Sequence, residues 1–94
     1  MYVLQIEHEV LNFAAWKKAF ESDPIDRKKM GVRQYEIFNR TDNLNYVVIN
    51  LQFERLNEAE NATARLRKLW EHLDGKIMIN PQLRILNMIE RKDL

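Results

Sequence analysis

The sequence contains no cysteine, so disulfide staples, thiolate nucleophiles and zinc–thiolate sites are excluded. Two glycines and two prolines in the whole chain leave no room for a glycine-rich phosphate loop or a low-complexity linker. The longest apolar run is four residues, as in Tyr46-Val47-Val48-Ile49, far short of a bilayer span. Met1-Tyr2-Val3-Leu4-Gln5 has neither a basic n-region nor a long apolar core, so no signal peptide is predicted and a cytoplasmic address is expected. Neither sign of charge dominates. Fifteen Lys and Arg against fourteen Asp and Glu give a net charge of +1, which excludes a strongly basic polyanion binder and an acidic disordered tail.

What is present is an ordinary globular composition, 46% apolar and 31% charged over 94 residues. That length predicts a single domain, residues 1–94, with a small core. Residues 2–10 alternate, with Leu4, Ile6, His8 and Val10 on one face and Val3, Gln5, Glu7 and Glu9 on the other, the period of a strand. Asn12 is a good N-cap, and Phe13, Trp16 and Phe20 follow at helical spacing up to Ser22. Asp23-Pro24 predicts a further short helical turn closed by Gly31. Residues 32–40 read as a second strand, with Arg33, Tyr35 and Ile37 on one face and Val32, Gln34, Glu36 and Phe38 on the other. Thr41-Asp42-Asn43-Leu44-Asn45 reads as a hairpin loop, and residues 46–53 as a third strand. Asn57 and Glu60 form a capping-box pattern. The long helix it opens carries the stripe Ala59, Ala62, Leu66, Leu69 and Leu73, has Trp70 at its margin and is closed by Asp74-Gly75. After Pro81, residues 82–89 read as a fourth strand.

The order β-α-β-β-α-β predicts an α+β fold, a ferredoxin-like protomer: a four-stranded antiparallel sheet with two helices on one face and strands one and three at its centre. The other face is left without intrachain cover. It carries Val3, Val32, Phe38, Tyr46, Val48, Leu86 and Met88 among Gln5, Gln34, Asn50 and Gln52. A second copy of the chain is the economical cover for such a face, so a homodimer is expected.

The run His8-Glu9-Val10-Leu11-Asn12-Phe13-Ala14-Ala15-Trp16-Lys17-Lys18-Ala19-Phe20 resembles a motif of small bacterial proteins in the dimeric α+β barrel superfamily. Ser22-Asp23-Pro24, Arg27, Gly31-Val32-Arg33, Phe53 and Asn57-Glu58-Ala59-Glu60 continue the likeness over most of the chain. The sequence departs from that pattern at Asn12, where Asp is expected, and at Leu44, where Pro is expected; both affect caps and turns. The superfamily includes antibiotic-biosynthesis monooxygenases, haem-degrading monooxygenases, stress-responsive proteins and cyclases. The resemblance implies a homodimer with facing sheets, and a ligand cleft between helices and sheet in each subunit. It implies a small-molecule-binding protein, or a cofactor-independent monooxygenase or cyclase acting on a small aromatic or polyketide-like ligand. The alternative is a non-catalytic structural or stress-responsive homodimer.

His8 is the residue best suited to chemistry, since an imidazole exchanges a proton near neutral pH; the plainer reading is a histidine bridging the strand-to-helix junction. Glu7 and Glu9 point away from His8 in a regular strand, so no shared metal ion is expected. Arg33 is expected to serve as an anion anchor, Tyr35 as a polar contact, and Trp16 and Phe20 as walls, on the expectation that the end of strand one and the start of strand two share one end of the sheet. The plainer reading is a surface ion pair and two core aromatics. Trp70 and His72 lie about 200° apart around a helix, which argues against joint haem contact, and no cofactor is expected. Asn50, Trp16, Tyr35 and Arg33 match the residue types of quinone-forming monooxygenases, but Asn50 is predicted on the opposite sheet face. The third strand lacks the glycine of an RNA-recognition strand, so nucleic acid is not an expected partner.

Overall fold

The computed structural model describes residues 1–71 and 78–94. The order is β1 (Tyr2–Val10), α1 (Phe13–Glu21), β2 (Gln34–Arg40), β3 (Asn43–Phe53), α2 (Leu56–Glu71) and β4 (Met78–Asn87). One four-stranded sheet runs β2-β3-β1-β4, with every neighbouring pair antiparallel. This is the predicted ferredoxin-like arrangement. Leu73, Asp74, Gly75 and His72 lie outside the described residues.

Alternation decides the faces. Leu4, Ile6, Val47, Ile49, Leu51 and Phe53 are all buried and join Ala59, Ala62 and Leu66 of α2 in one core. The two helices meet the sheet differently. Ala59 and Ala62 let the α2 backbone approach closely, whereas Phe13, Trp16 and Phe20 on α1 reach across a wider gap. That difference in side-chain size leaves space between α1 and the sheet.

Local chemistry explains most boundaries, and moves several from their predicted places. Asn12 caps α1 as predicted, its Oδ1 accepting from the Ala15 N–H at 2.9 Å. The predicted helical turn after Pro24 is instead a run of turns. Asp23 and Asp26 both stand at φ 54°, and the Asp23 carboxylate accepts from the Arg27 N–H at 2.9 Å. Gly31 does take a left-handed conformation, φ 101°, and β2 begins at Gln34 rather than Val32. Val32 consequently packs against the core instead of lying on the open sheet face. The hairpin tightens to Thr41-Asp42, with β3 starting at Asn43.

The predicted cap of α2 also shifts. The helix starts at Leu56, so Asn57 lies within its first turn. Glu58, not Glu60, reaches back, its Oε1 accepting from the Arg55 N–H at 3.1 Å, the carboxylate half of a capping box. Finally, β4 begins at Met78 and includes Pro81. Opposite His8, the β1–β4 register slips between Glu7 paired with Gln82 and Glu9 paired with Ile79. Two β4 residues, Asn80 at φ 52° and Pro81, therefore face one on β1. This is a bulge on an edge strand, where a proline without an N–H is tolerated.

Candidate functional site

His8 is 2% exposed, on the helix-facing side of β1 as its alternation predicts. Its Nδ1 lies 3.1 Å from the Glu9 carbonyl oxygen. A carbonyl only accepts, so Nδ1 carries the proton and Nε2 is the basic nitrogen. Among the described residues Nε2 takes no hydrogen bond, and none of their buried side-chain nitrogens or oxygens lacks a partner. His8 lines open space between the helices and the sheet. Burial holds the His8 pKa below the usual histidine value, and the Glu9 carbonyl opposes that effect more weakly. The imidazole is neutral at pH 7 and able to accept a proton.

That open space is a cavity of about 100 Å³ between α1, α2 and the sheet. Ile6, Ile49 and Leu51 form its floor. Trp16, Ala19 and Phe20 line it from α1; Leu66, Leu69 and Trp70 line it from α2; Pro24, Ile25 and Arg27 come from the turns that follow α1. The aromatic side chains form a chain of edge and tilted contacts: His8 to Trp16 at 5.9 Å, Trp16 to Phe20 at 5.4 Å and Phe20 to Tyr35 at 5.1 Å between ring centroids. Such pairs favour defined ring positions by about 0.5–1.5 kcal/mol each.

The structure thus brings together His8, Trp16 and Phe20, with Tyr35 at the outer end of the chain. It does not bring Arg33 there. Because β1 and β2 each pair antiparallel with β3, they run parallel to one another, and the end of β1 lies opposite the end of β2. His8 is level with Val47 and Asn39, whereas Gln34 is level with Gln52 and Val3. The expectation that His8 and Arg33 share one end of the sheet is corrected accordingly. Arg33 pairs with Glu54 at 3.2 Å on the exposed surface.

The arginine at the cavity is Arg27. Its guanidinium carbon lies 3.8 Å over the Phe20 ring and 5.2 Å from the Tyr35 centroid. Its Nη1 donates to the Phe20 carbonyl at 2.8 Å and stands 3.5 Å from Asp23 Oδ1. The signal was present in the sequence: Asp23 and Arg27 are four residues apart, a spacing that one turn of backbone closes. Asn50 lies on the open face, as predicted, where its Oδ1 accepts from Gln5 at 3.1 Å. Among the described residues no cluster of three His, Asp or Glu side chains has metal-binding geometry, and no helix is long and apolar enough to cross a membrane.

No protein-family model and no curated protein matches the sequence. Solved structures do match. A point variant of SnoaB, a cofactor-independent oxygenase from Streptomyces nogalater, superimposes with a TM-score of 0.75 at 11% identity, over 96% of this chain and 94% of that one. A structure described as an antibiotic biosynthesis monooxygenase gives 0.67 at 8% identity, over 96% and 100%. A dimeric ferredoxin-like protein from an uncultured marine organism gives 0.67 at 9% identity, over 97% of each chain. At these identities the likeness is one of fold, and the chain has the ferredoxin-like fold of antibiotic-biosynthesis-monooxygenase-like proteins over nearly its whole length.

Proposed function

We propose that the protein is a homodimeric small-molecule-binding protein whose cavity takes a small aromatic ligand, with His8 as its proton acceptor and Trp16 and Phe20 as its walls. The observation that carries this reading is His8 itself: a buried imidazole, its pKa lowered by burial, lining a cavity whose other described lining residues, Arg27 apart, are apolar or aromatic. A phenolic O–H placed there would donate to Nε2, and partial transfer of its proton would leave an electron-rich ring. That is the starting point of cofactor-independent oxygenation, the activity of SnoaB, and the finer form of the proposal is a monooxygenase or cyclase of that kind. Tyr35 is a peripheral contact in this reading, and Arg33, engaged with Glu54, is outside it.

The alternative, a non-catalytic structural homodimer, is favoured by the modest size of the cavity and the close aromatic packing around it. Thermal-shift titration with one-ring phenols and quinols, paired with oxygen-uptake measurements, separates the two. Stabilisation of wild type that is lost in His8→Gln supports the cavity reading, and oxygen uptake supports its enzymatic form. Absence of any stabilisation favours the structural dimer.

A further inference from the structure

We infer that Arg27 is the anion anchor of the cavity, and that the ligand is a one-ring aryl carboxylate bearing a second, proton-donating group. The inference rests on the cavity reading above and adds the charge of the ligand to it.

The guanidinium has five N–H donors. Among the described residues only Nη1 is engaged, with the Phe20 carbonyl at 2.8 Å and Asp23 at 3.5 Å. Nε and Nη2 take no partner among the described residues, although the side chain is only 13% exposed. Arg27 lines the cavity. Of the other arginines, Arg33 pairs with Glu54, Arg40 with Asp42 and Arg84 with Glu7, while Arg65 donates to Met30 Sδ. Asp23 Oδ1 is shared between the Arg27 backbone N–H at 2.9 Å and Nη1 at 3.5 Å, and the Asp23 side chain is 36% exposed.

Among the described lining residues there is no carboxylate, and Arg27 is the one cation. The guanidinium plane is held over Phe20 and beside Tyr35, so its free edge is oriented before a ligand arrives. A planar fork of two donors suits a carboxylate, which accepts two parallel hydrogen bonds. Between Arg27 and His8 the walls are aromatic and aliphatic. At about 100 Å³ the cavity is smaller than the ~150 Å³ that encloses benzene, so it excludes a fused system and takes a single ring only with part of the ligand in its open mouth. The carboxylate, the ring and the hydroxyl thus each have a matching group, in the order Arg27, Phe20 with Trp16, His8.

Isothermal titration calorimetry with 4-hydroxybenzoate and its neutral counterpart 4-hydroxybenzamide tests this. Wild type is expected to bind the acid at least tenfold more tightly than the amide. Arg27→Gln is expected to remove that preference while still binding the amide, and Arg33→Gln to keep it. Should Arg27→Gln not fold, Arg27→Lys retains the charge without the fork and is expected to narrow the preference severalfold. Equal binding of acid and amide by wild type overturns the anion anchor and leaves the cavity reading standing. A preference lost in Arg33→Gln and kept in Arg27→Gln assigns the anchor to the other arginine and overturns the inference. Binding of neither compound overturns both.

Discussion

His8 is neutral because the sheet and α1 exclude water from it, and its pKa follows from that burial. The folded chain holds this proton less readily than the unfolded chain, whose histidines titrate at about 6.5. Unfolded chains therefore bind more protons in the window below that value. His8's contribution to stability is complete above about pH 6.5 and is lost as pH falls through its lower folded pKa. Thermal melts at about pH 7.5 and about pH 5.5 should show a larger drop for wild type than for His8→Gln; equal drops would place no buried neutral histidine in the fold. Gly31 gives a second single-residue prediction. Its φ of 101° disfavours any side chain, and a Cβ there would collide with the Glu58 carboxylate. Gly31→Ala should cost more than about 1 kcal/mol in urea unfolding. At this scale the site was partly legible. Alternation places His8 correctly, and helical spacing places Trp16 and Phe20. The spacing of Asp23 and Arg27 reports their pairing but not that Arg27 lines the cavity, because the chain around it follows turns set by two left-handed aspartates.

The elements were legible where one local signal dominates. Asn12 marks the start of α1, and the alternation through β1 and β3 sorts core from open face without error at Leu4, Ile6, Ile49 and Leu51. Boundaries set by partners were not legible. The bulge opposite His8 depends on how β4 pairs with β1, and the start of α2 depends on which of several polar residues turns back to the backbone. The resulting prediction contrasts neighbours. Glu58→Ala removes the acceptor of the Arg55 N–H and should lower stability by about 0.5–1 kcal/mol. Asn57→Ala, inside the first turn, should change it by less than about 0.5 kcal/mol. Paired urea unfolding curves read both; a larger loss for Asn57→Ala would return the cap to that residue.

The whole molecule has one face that its helices do not cover. Phe38 and Leu86 are 49% and 40% exposed there. Between them Arg84 bridges Gln5 at 2.7 Å and Glu7 at 3.1 Å, and Gln5 donates to Asn50. Val3 and Gln52 on the same face are buried already, so the bare area is less continuous than the sequence suggests. A polar cross-strand network flanked by large apolar side chains suits a partner that fixes one register, and the twofold-related copy proposed above would meet this surface with its own. Phe38→Lys should then shift the protein from dimer to monomer in light scattering at micromolar concentration. A wild-type monomer under the same conditions would remove the homodimer from the proposal.

The cavity and the open face lie on opposite sides of the sheet, which allows a ligand to be located as well as detected. The chain has two tryptophans, and both Trp16 and Trp70 line the cavity. Gln5 and Asn50 carry side-chain amides on the far face. A proton–nitrogen NMR titration with phenol should therefore move both indole N–H resonances and leave the Gln5 and Asn50 amide resonances in place. Indole resonances that stay fixed up to millimolar phenol, or shifts confined to the open face, would contradict a ligand cavity beside His8.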